Sequence, residues 1–204
     1  MVATGSQKLT LSEKLFNDFI TEYNIKCKRI PQEDVQTPDF VIELQHQSIA
    51  VEIKEIATTE DNSHQAFTVH SKTVGEKIRK AIGEASGQLR WAAGQCMPTI
   101  LLLFDASSPG NFWHLEDLDF TTAMYGELTT TLNIGIGQFN PMFNGRNELL
   151  TPKNRTHISA LGRLAVGING TQITLFPNIF ASMPISETSL PNCINFRLIR
   201  VDDK

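Results

Sequence analysis

Three residues in the stretch 38–56 carry side chains that could hold a metal ion or move a proton. Asp39 opens one apolar run, and Glu52 and Lys54 stand two residues apart in the next. Residues two apart in an extended strand point to the same face, so Glu52 and Lys54 share a face and Ile53 points away. Two carboxylates about 4 Å apart repel by about 4 kcal/mol at an effective dielectric constant near 20. A divalent cation removes this repulsion, so metal-assisted chemistry is the first hypothesis for this stretch.

A β-hairpin is the element predicted to position these side chains. Its arms are residues 41–44 and 49–54, and a polar turn at residues 45–47 joins them. Every second residue of the later arm is aliphatic, namely Ile49, Val51 and Ile53. This alternation predicts one face in the core and an opposite face that carries Glu52 and Lys54.

Two amphipathic helices and one uninterrupted apolar strand are predicted around the hairpin. The first helix spans about residues 11–23 and begins with a capping box of Thr10 and Glu13, so Glu13 has either a capping role alone or a second role in a site. The longest helix begins at about residue 74 and ends at Gly94. Residues 99–104 read TILLLF, and the lack of alternation is typical of a central strand covered on both faces. Together these elements predict an α/β fold.

The C-terminal half of the chain is predicted to be rich in β-structure. A weak helical pattern covers residues 118–128, a hairpin turns at Asn169-Gly170, and a last strand begins near Ile194. Between these elements, residues 141–163 carry four basic residues and one acidic residue, a net charge of +3. A long loop of this kind is uncommon in a compact domain and often serves function.

Composition excludes several classes of protein. The chain has 204 residues, 41% of them apolar, and a net charge of -4, which predicts one globular domain rather than a disordered chain. No apolar run approaches the roughly 20 residues of a spanning helix and no leader-like start is present, so a cytoplasmic location without a membrane partner is expected. Cys27, Cys96 and Cys193 lack CxxC spacing and are expected to be buried reduced thiols. The GxSxG, HExxH and GxxxxGK[ST] motifs of other hydrolases and nucleotide-binding proteins are absent.

The order helix, strand, Asp-bearing strand, Glu-x-Lys strand, long helix and central strand resembles the core of the PD-(D/E)xK nuclease superfamily. The resemblance covers about residues 10–105, and its motif reads Pro38-Asp39, twelve intervening residues, then Glu52-Ile53-Lys54. It implies a restriction-endonuclease-like fold, in which helices flank a central mixed β-sheet in a three-layer α/β core. A single domain would span residues 1–204, with a β-rich extension over about residues 129–204.

The resemblance implies a metal-dependent endonuclease that hydrolyses phosphodiester bonds by a metal-activated water. The ligands of Mg²⁺ or Mn²⁺ would be Asp39, Glu52 and the main-chain carbonyl of Ile53. Lys54 would orient the attacking water and stabilise charge on the phosphate. Glu13 and Gln88 match further site positions of some members. Ala92 stands where the exonuclease-like branch has a tyrosine, so the branch stays open.

Nucleic acid, with DNA favoured, is the expected partner, and a homodimer is left open. The candidate phosphate contacts are Lys72, Lys77, Lys80, Arg146, Lys153 and Arg155. One alternative is a catalytically inactive nuclease-like domain that binds nucleic acid or protein. Another is a solvated hairpin, in which Glu52 and Lys54 form an exposed pair of little energetic worth.

Overall fold

The structure is a computed structural model, and it describes residues 9–31, 36–45, 47–56, 74–106, 115–139 and 143–199. Three α-helices lie in these ranges: α1 (Leu11–Glu22), α2 (Glu76–Gly94) and α3 (Asp117–Tyr125). The first strands are β1 (Lys26–Arg29), β2 (Phe40–Leu44), β3 (Gln47–Ile56) and β4 (Thr99–Asp105). Four two-residue strands follow, β5 (Leu128–Thr129), β6 (Leu132–Asn133), β7 (Gln138–Phe139) and β8 (Phe143–Asn144). The last elements are β9 (Ala160–Gly167), β10 (Gly170–Pro177), a 3₁₀ turn (Glu187–Ser189) and β11 (Ile194–Phe196).

Seven of the strands form one mixed sheet in the order β1-β2-β3-β4-β9-β10-β11. The central strands β3, β4 and β9 are parallel, whereas β1 to β3 pair antiparallel, as do β9 and β10. This arrangement confirms the α/β class that was predicted. The predicted C-terminal β-rich segment contributes β9, β10 and β11 to the same sheet that holds the hairpin.

The helices cover both faces of this sheet. On one face, Phe16 and Phe19 of α1 belong to the same buried cluster as Val51 and Ile53 of β3. On the other face, the buried side of α2 packs with Leu101 and Leu103 of β4 and with residues of α3. β4 is buried along almost its whole length, as its unbroken apolar sequence predicted. Alternate residues of a central strand therefore face either α1 or α2.

Local sequence accounts for where the two long helices begin. The Thr10–Glu13 capping box is present at α1, with both of its hydrogen bonds formed. α2 begins two residues later than predicted because Gly75, with φ of 73°, forms its N-cap. One side of α2 is buried through its small and aliphatic residues, Ile78, Ala81, Ile82, Ala85, Leu89 and Ala92. Since α2 connects two parallel strands, it runs antiparallel to both, and its first turns lie near their carboxyl ends.

The three cysteines are free thiols, and none of them is fully buried. Cys27 and Cys193 are partly buried and Cys96 is exposed in the turn after α2, so the expectation of buried thiols is wrong. Burial raises the pKa of Cys27 to about 11, which keeps this thiol protonated at neutral pH. Within the described ranges, no helix combines the length and apolarity that crossing a membrane requires.

Candidate active site

Asp39 and Glu52 lie opposite each other at the start of the β2–β3 hairpin. The antiparallel ladder pairs Phe40 with Val51, and one further step along the same register brings Asp39 opposite Glu52. Asp39 Oδ2 accepts a hydrogen bond of 2.8 Å from the main-chain N–H of Ile53. This bond fixes the Asp39 carboxylate against β3, beside the strand position that carries Glu52.

Glu52 is a buried carboxylate that is only partly satisfied. Its side chain is 1% exposed, and Lys54 Nζ lies 2.7 Å from Oε1. Oε2 has no hydrogen-bond partner among the described residues. Burial, followed by the negative charge of Asp39, raises the pKa of Glu52 to about 7, although the hydrogen bond from Lys54 acts in the opposite direction. The Glu52 carboxyl is therefore poised near neutral pH to take up either a proton or a cation.

Lys54 lies at the edge of a cleft of about 340 Å³ between β3 and the first turns of α2. The cleft is lined by Lys54, Glu55, Ile56, Lys77, Lys80, Ala81 and Glu84. Among the described residues, Lys80 has a long, exposed ion pair of 3.9 Å with Glu84. Three lysines therefore surround an open space next to the buried acids, and two of them were predicted as phosphate contacts.

Two charged residues on the α2 face were not predicted as part of the site. The sheet register pairs Lys54 with Leu103 and Leu103 with Arg163, so Arg163 lies two strands, or about 10 Å, from Lys54. Arg163 Nη1 donates to the carbonyl of Leu115 at 2.9 Å. Asp105 follows Leu103 by two residues at the end of β4 and so belongs to the same face. No local pattern in the sequence could have found them, because their position beside Lys54 depends on the pairing of β4 with β3 and of β9 with β4.

Gln88 is positioned by α2 on the side that faces the sheet. It follows Ala81 by two helical turns, about 10 Å further along the helix. Because α2 runs antiparallel to β3, this direction leads from Lys54 back to Glu52. Its Oε1 is buried without a hydrogen-bond partner among the described residues. At the neighbouring Gly87, an added Cβ would come within 2.3 Å of Gln36 Oε1. The segment that leads into Asp39 therefore contacts α2 beside Gln88.

Glu13 does not share the face that carries Glu52 and Lys54. It lies on α1, where Oε2 accepts from the N–H of Thr10 at 2.7 Å and Oε1 pairs with Arg29 at 3.1 Å. Both carboxylate oxygens are thus engaged in capping and in an ion pair with β1. The structure supports the capping alternative for Glu13 and leaves a role in the site as a prediction.

The six predicted phosphate contacts do not form one patch. Lys77 and Lys80 line the cleft, Arg146 and Lys153 are exposed, and Lys72 lies outside the described residues. Burial and the positive charge of Arg90 lower the pKa of Arg155, which places Arg155 near the other end of α2. Arg90 lies thirteen positions after Lys77 in α2, about 20 Å along the helix, so Arg155 and Lys77 lie near opposite ends of α2.

The candidate metal site contains two carboxylates, those of Asp39 and Glu52. In the part of the chain that the structure describes, no group of three or more His, Cys, Asp or Glu side chains could hold one. The third predicted ligand is a main-chain carbonyl, that of Ile53. In an extended strand the C=O and N–H of one residue point to the same edge, and the Ile53 N–H points to Asp39. The Ile53 carbonyl therefore points toward Asp39. It lies beyond the pair of Phe40 with Val51, which is the last pair of the β2–β3 ladder at this end.

Comparison of the chain with models of known families, with curated proteins and with solved structures gave no match. The resemblance over residues 10–105 therefore depends on a motif and on the order of elements.

Proposed function

We propose that this protein is a divalent-metal-dependent nuclease with a restriction-endonuclease-like core, which hydrolyses phosphodiester bonds in DNA. The observation that carries the proposal is the Glu52 carboxylate, 1% exposed and opposite Asp39, with Oε2 unpartnered among the described residues. A buried carboxylate without full compensation destabilises the folded chain, and such groups concentrate at functional sites. A bound cation would satisfy Oε2 and remove the repulsion between the two acids.

The donor set fits Mg²⁺ or Mn²⁺. Asp39, Glu52 and the carbonyl of Ile53 offer oxygen ligands, which these ions prefer. When bound, the ion supplies Lewis-acid polarisation of the scissile phosphate and lowers the pKa of a water molecule. The hydrogen bond from Ile53 to Asp39 Oδ2, 2.8 Å long, keeps one carboxylate and the carbonyl in a fixed relation before the substrate arrives.

Lys54 supplies the positive charge of the reaction. Its ammonium lies 2.7 Å from Glu52 Oε1, and its side chain is 27% exposed toward the cleft. Negative charge grows on the non-bridging oxygens during phosphodiester cleavage, and a preorganised ammonium group stabilises it. Lys54 Nζ would donate hydrogen bonds to the phosphate and to the attacking water.

The cleft supplies phosphate contacts on the side of α2. Lys77 and Lys80 line the same space as Lys54. Cationic side chains at such positions bind the nucleic-acid backbone and fix its register without reading its sequence. The substrate would therefore be held by its backbone next to the acids.

The test is a cleavage assay with Mg²⁺ or Mn²⁺ on supercoiled plasmid and on single-stranded DNA. Asp39→Asn, Glu52→Gln and Lys54→Met should each reduce the cleavage rate about 100-fold or more, since each removes a group that acts in the transition state. Asp18→Asn and Lys14→Met, at exposed positions of α1, are matched controls that should leave the rate unchanged. Cleavage that survives all three site changes would contradict the assignment.

The ion pair of Lys54 with Glu52 favours one alternative, an inactive nuclease-like domain that binds nucleic acid. In that case, the lysine serves mainly to neutralise a buried acid. DNA binding without cleavage in either metal, unchanged by Glu52→Gln, would support this alternative over the nuclease.

A further inference from the structure

A groove of about 740 Å³ lies on the α2 side of the sheet, next to the candidate site. It is bounded by the edge strand β1, by its neighbour β2 and by the last turn of α2. The side chains that matter here are Lys26, Lys28, Val41, Glu43 and Trp91. This groove was not predicted from the sequence and is separate from the cleft around Lys54.

The strand register directs the groove toward Asp39. Lys26 pairs with Glu43 and Lys28 pairs with Val41, so these residues form successive rows on one face, about 7 Å apart. The next row is formed by Ile30, whose N–H donates to the main-chain oxygen of Asp39 at 2.9 Å. A chain that lies along these rows would arrive at the acid pair without changing direction.

The side chains of the groove combine one large aromatic ring with exposed lysines. Trp91 is 36% exposed and stands outside both buried clusters, so core packing does not explain its size. Lys28 is exposed, and the 3.1 Å pair of Lys26 with Glu43 is a surface pair that contributes little. Aromatic rings on which bases stack, flanked by cations that track the phosphates, are the combination that binds single-stranded nucleic acid.

We propose that this groove binds a single-stranded segment of nucleic acid, with one base stacked on Trp91 and phosphates near Lys26 and Lys28. A duplex keeps its bases stacked on each other, and therefore cannot offer a base face to Trp91. The groove would make the enzyme prefer substrates with a single-stranded stretch beside the scissile bond. The substrate preference depends on the proposed nuclease function, whereas the binding itself needs neither metal nor cleavage.

The binding test uses fluorescently labelled oligo-dT and a blunt duplex of equal length, titrated with the full chain in EDTA. Trp91→Ala should weaken oligo-dT binding about 10- to 100-fold, since stacking of one base contributes about that much, and should leave duplex binding within about twofold. Trp91→Phe keeps a ring and should retain most of the affinity. Tyr23→Ala, at an aromatic residue that is 45% exposed on α1, is the control and should bind as the wild type does.

Three results would overturn the groove proposal: no binding of oligo-dT by the wild type, equal affinity of wild type and Trp91→Ala, or equal losses for oligo-dT and duplex. Failure of the nuclease proposal is seen separately, in the cleavage assay with Mg²⁺ or Mn²⁺, because the binding test is made in EDTA and requires no cleavage. If the protein cleaves DNA but its binding does not depend on Trp91, the groove proposal is wrong and the nuclease proposal stands. If binding requires Trp91 but the protein never cleaves, the groove stands as a binding site and the nuclease proposal is wrong.

Discussion

Asp39 faces Glu52 across the β2–β3 hairpin, and Glu52 is the more buried of the two, with 1% of its surface exposed against 8% for Asp39. Burial and the charge of Asp39 raise the pKa of Glu52 to about 7. A proton and a divalent cation relieve the same repulsion between these acids. They should therefore compete for the site over the pH range in which Glu52 titrates.

The first prediction is that metal affinity depends on pH. Below pH 7, Mn²⁺ must displace a proton from Glu52, so its affinity should rise about tenfold per pH unit and level off above that pH. Calorimetric titration with MnCl₂ from pH 5.5 to 8 measures this slope, and buffers of different ionisation enthalpy report the released proton. Glu52→Gln should bind weakly and lack the slope. An affinity that is equal at pH 5.5 and pH 8 would contradict the competition.

The second prediction concerns the stability of the metal-free chain. The pKa of Glu52 is about 7 when folded, against an ordinary value of 4.5, so the folded chain binds more protons than the unfolded chain between these pH values. The Glu52 contribution to the free energy of unfolding should therefore fall by about 3 kcal/mol as the pH rises from 4.5 to 7, at about 1.36 kcal/mol per unit.

Glu52→Gln removes this pH dependence because glutamine does not titrate. Relative to the wild type, the variant should gain about 2 to 3 kcal/mol in unfolding free energy on going from pH 4.5 to pH 8, as measured by urea unfolding in EDTA. Glu43→Gln, at an exposed position of β2, should show no such gain. A stability difference that is the same at both pH values would show that Glu52 titrates at its ordinary pKa.

The third prediction is that the cleft lysines carry salt-dependent DNA binding. Replacing Lys77 and Lys80 together by methionine should weaken DNA binding and lower the slope of log affinity against log salt by about 2, because each phosphate contact releases counterions. Fluorescence anisotropy between 50 and 300 mM NaCl, a range over which the screening length falls about 2.5-fold, measures the slope. Lys14→Met, at an exposed position of α1 on the opposite face of the sheet, is the control. An unchanged slope in the double variant would show that neither lysine contacts the phosphates of the bound DNA.

The elements around the site could be predicted because their signals are local. The Thr10–Glu13 box determines the start of α1, the period-two alternation determines which face of β3 carries Glu52, and the apolar run of residues 99–104 determines a central strand. Each pattern lies within one element. For that reason no knowledge of the sheet order was needed.

The surroundings of the site could not be predicted because they depend on long-range pairing. Arg163 reaches the row of Lys54 only because β9 pairs with β4, across 60 residues between Ile100 and Ala160. The separation of Arg155 from Lys77 likewise requires knowing which end of α2 each of them adjoins. Charge in a linear stretch does not contain that information, so the candidate phosphate contacts on the long helix and on the later loop were predicted without their relative positions.

The last prediction tests how α2, and with it the cleft, is held in place. Gly75 caps α2 with φ of 73°, and an added Cβ would lie 2.8 Å from the main-chain oxygen of Asp119 and 2.9 Å from the N of Ala123. Both are backbone atoms of α3 and cannot turn away, so Gly75→Ala should lower the free energy of unfolding by about 1 to 3 kcal/mol. Gly83 lies within α2, where no described atom is within 4 Å of an added Cβ, so Gly83→Ala should raise it by about 0.5 to 1 kcal/mol. Urea unfolding compares the two, and a Gly75→Ala variant as stable as the wild type would show that the contact of Gly75 with α3 does not fix the start of the helix.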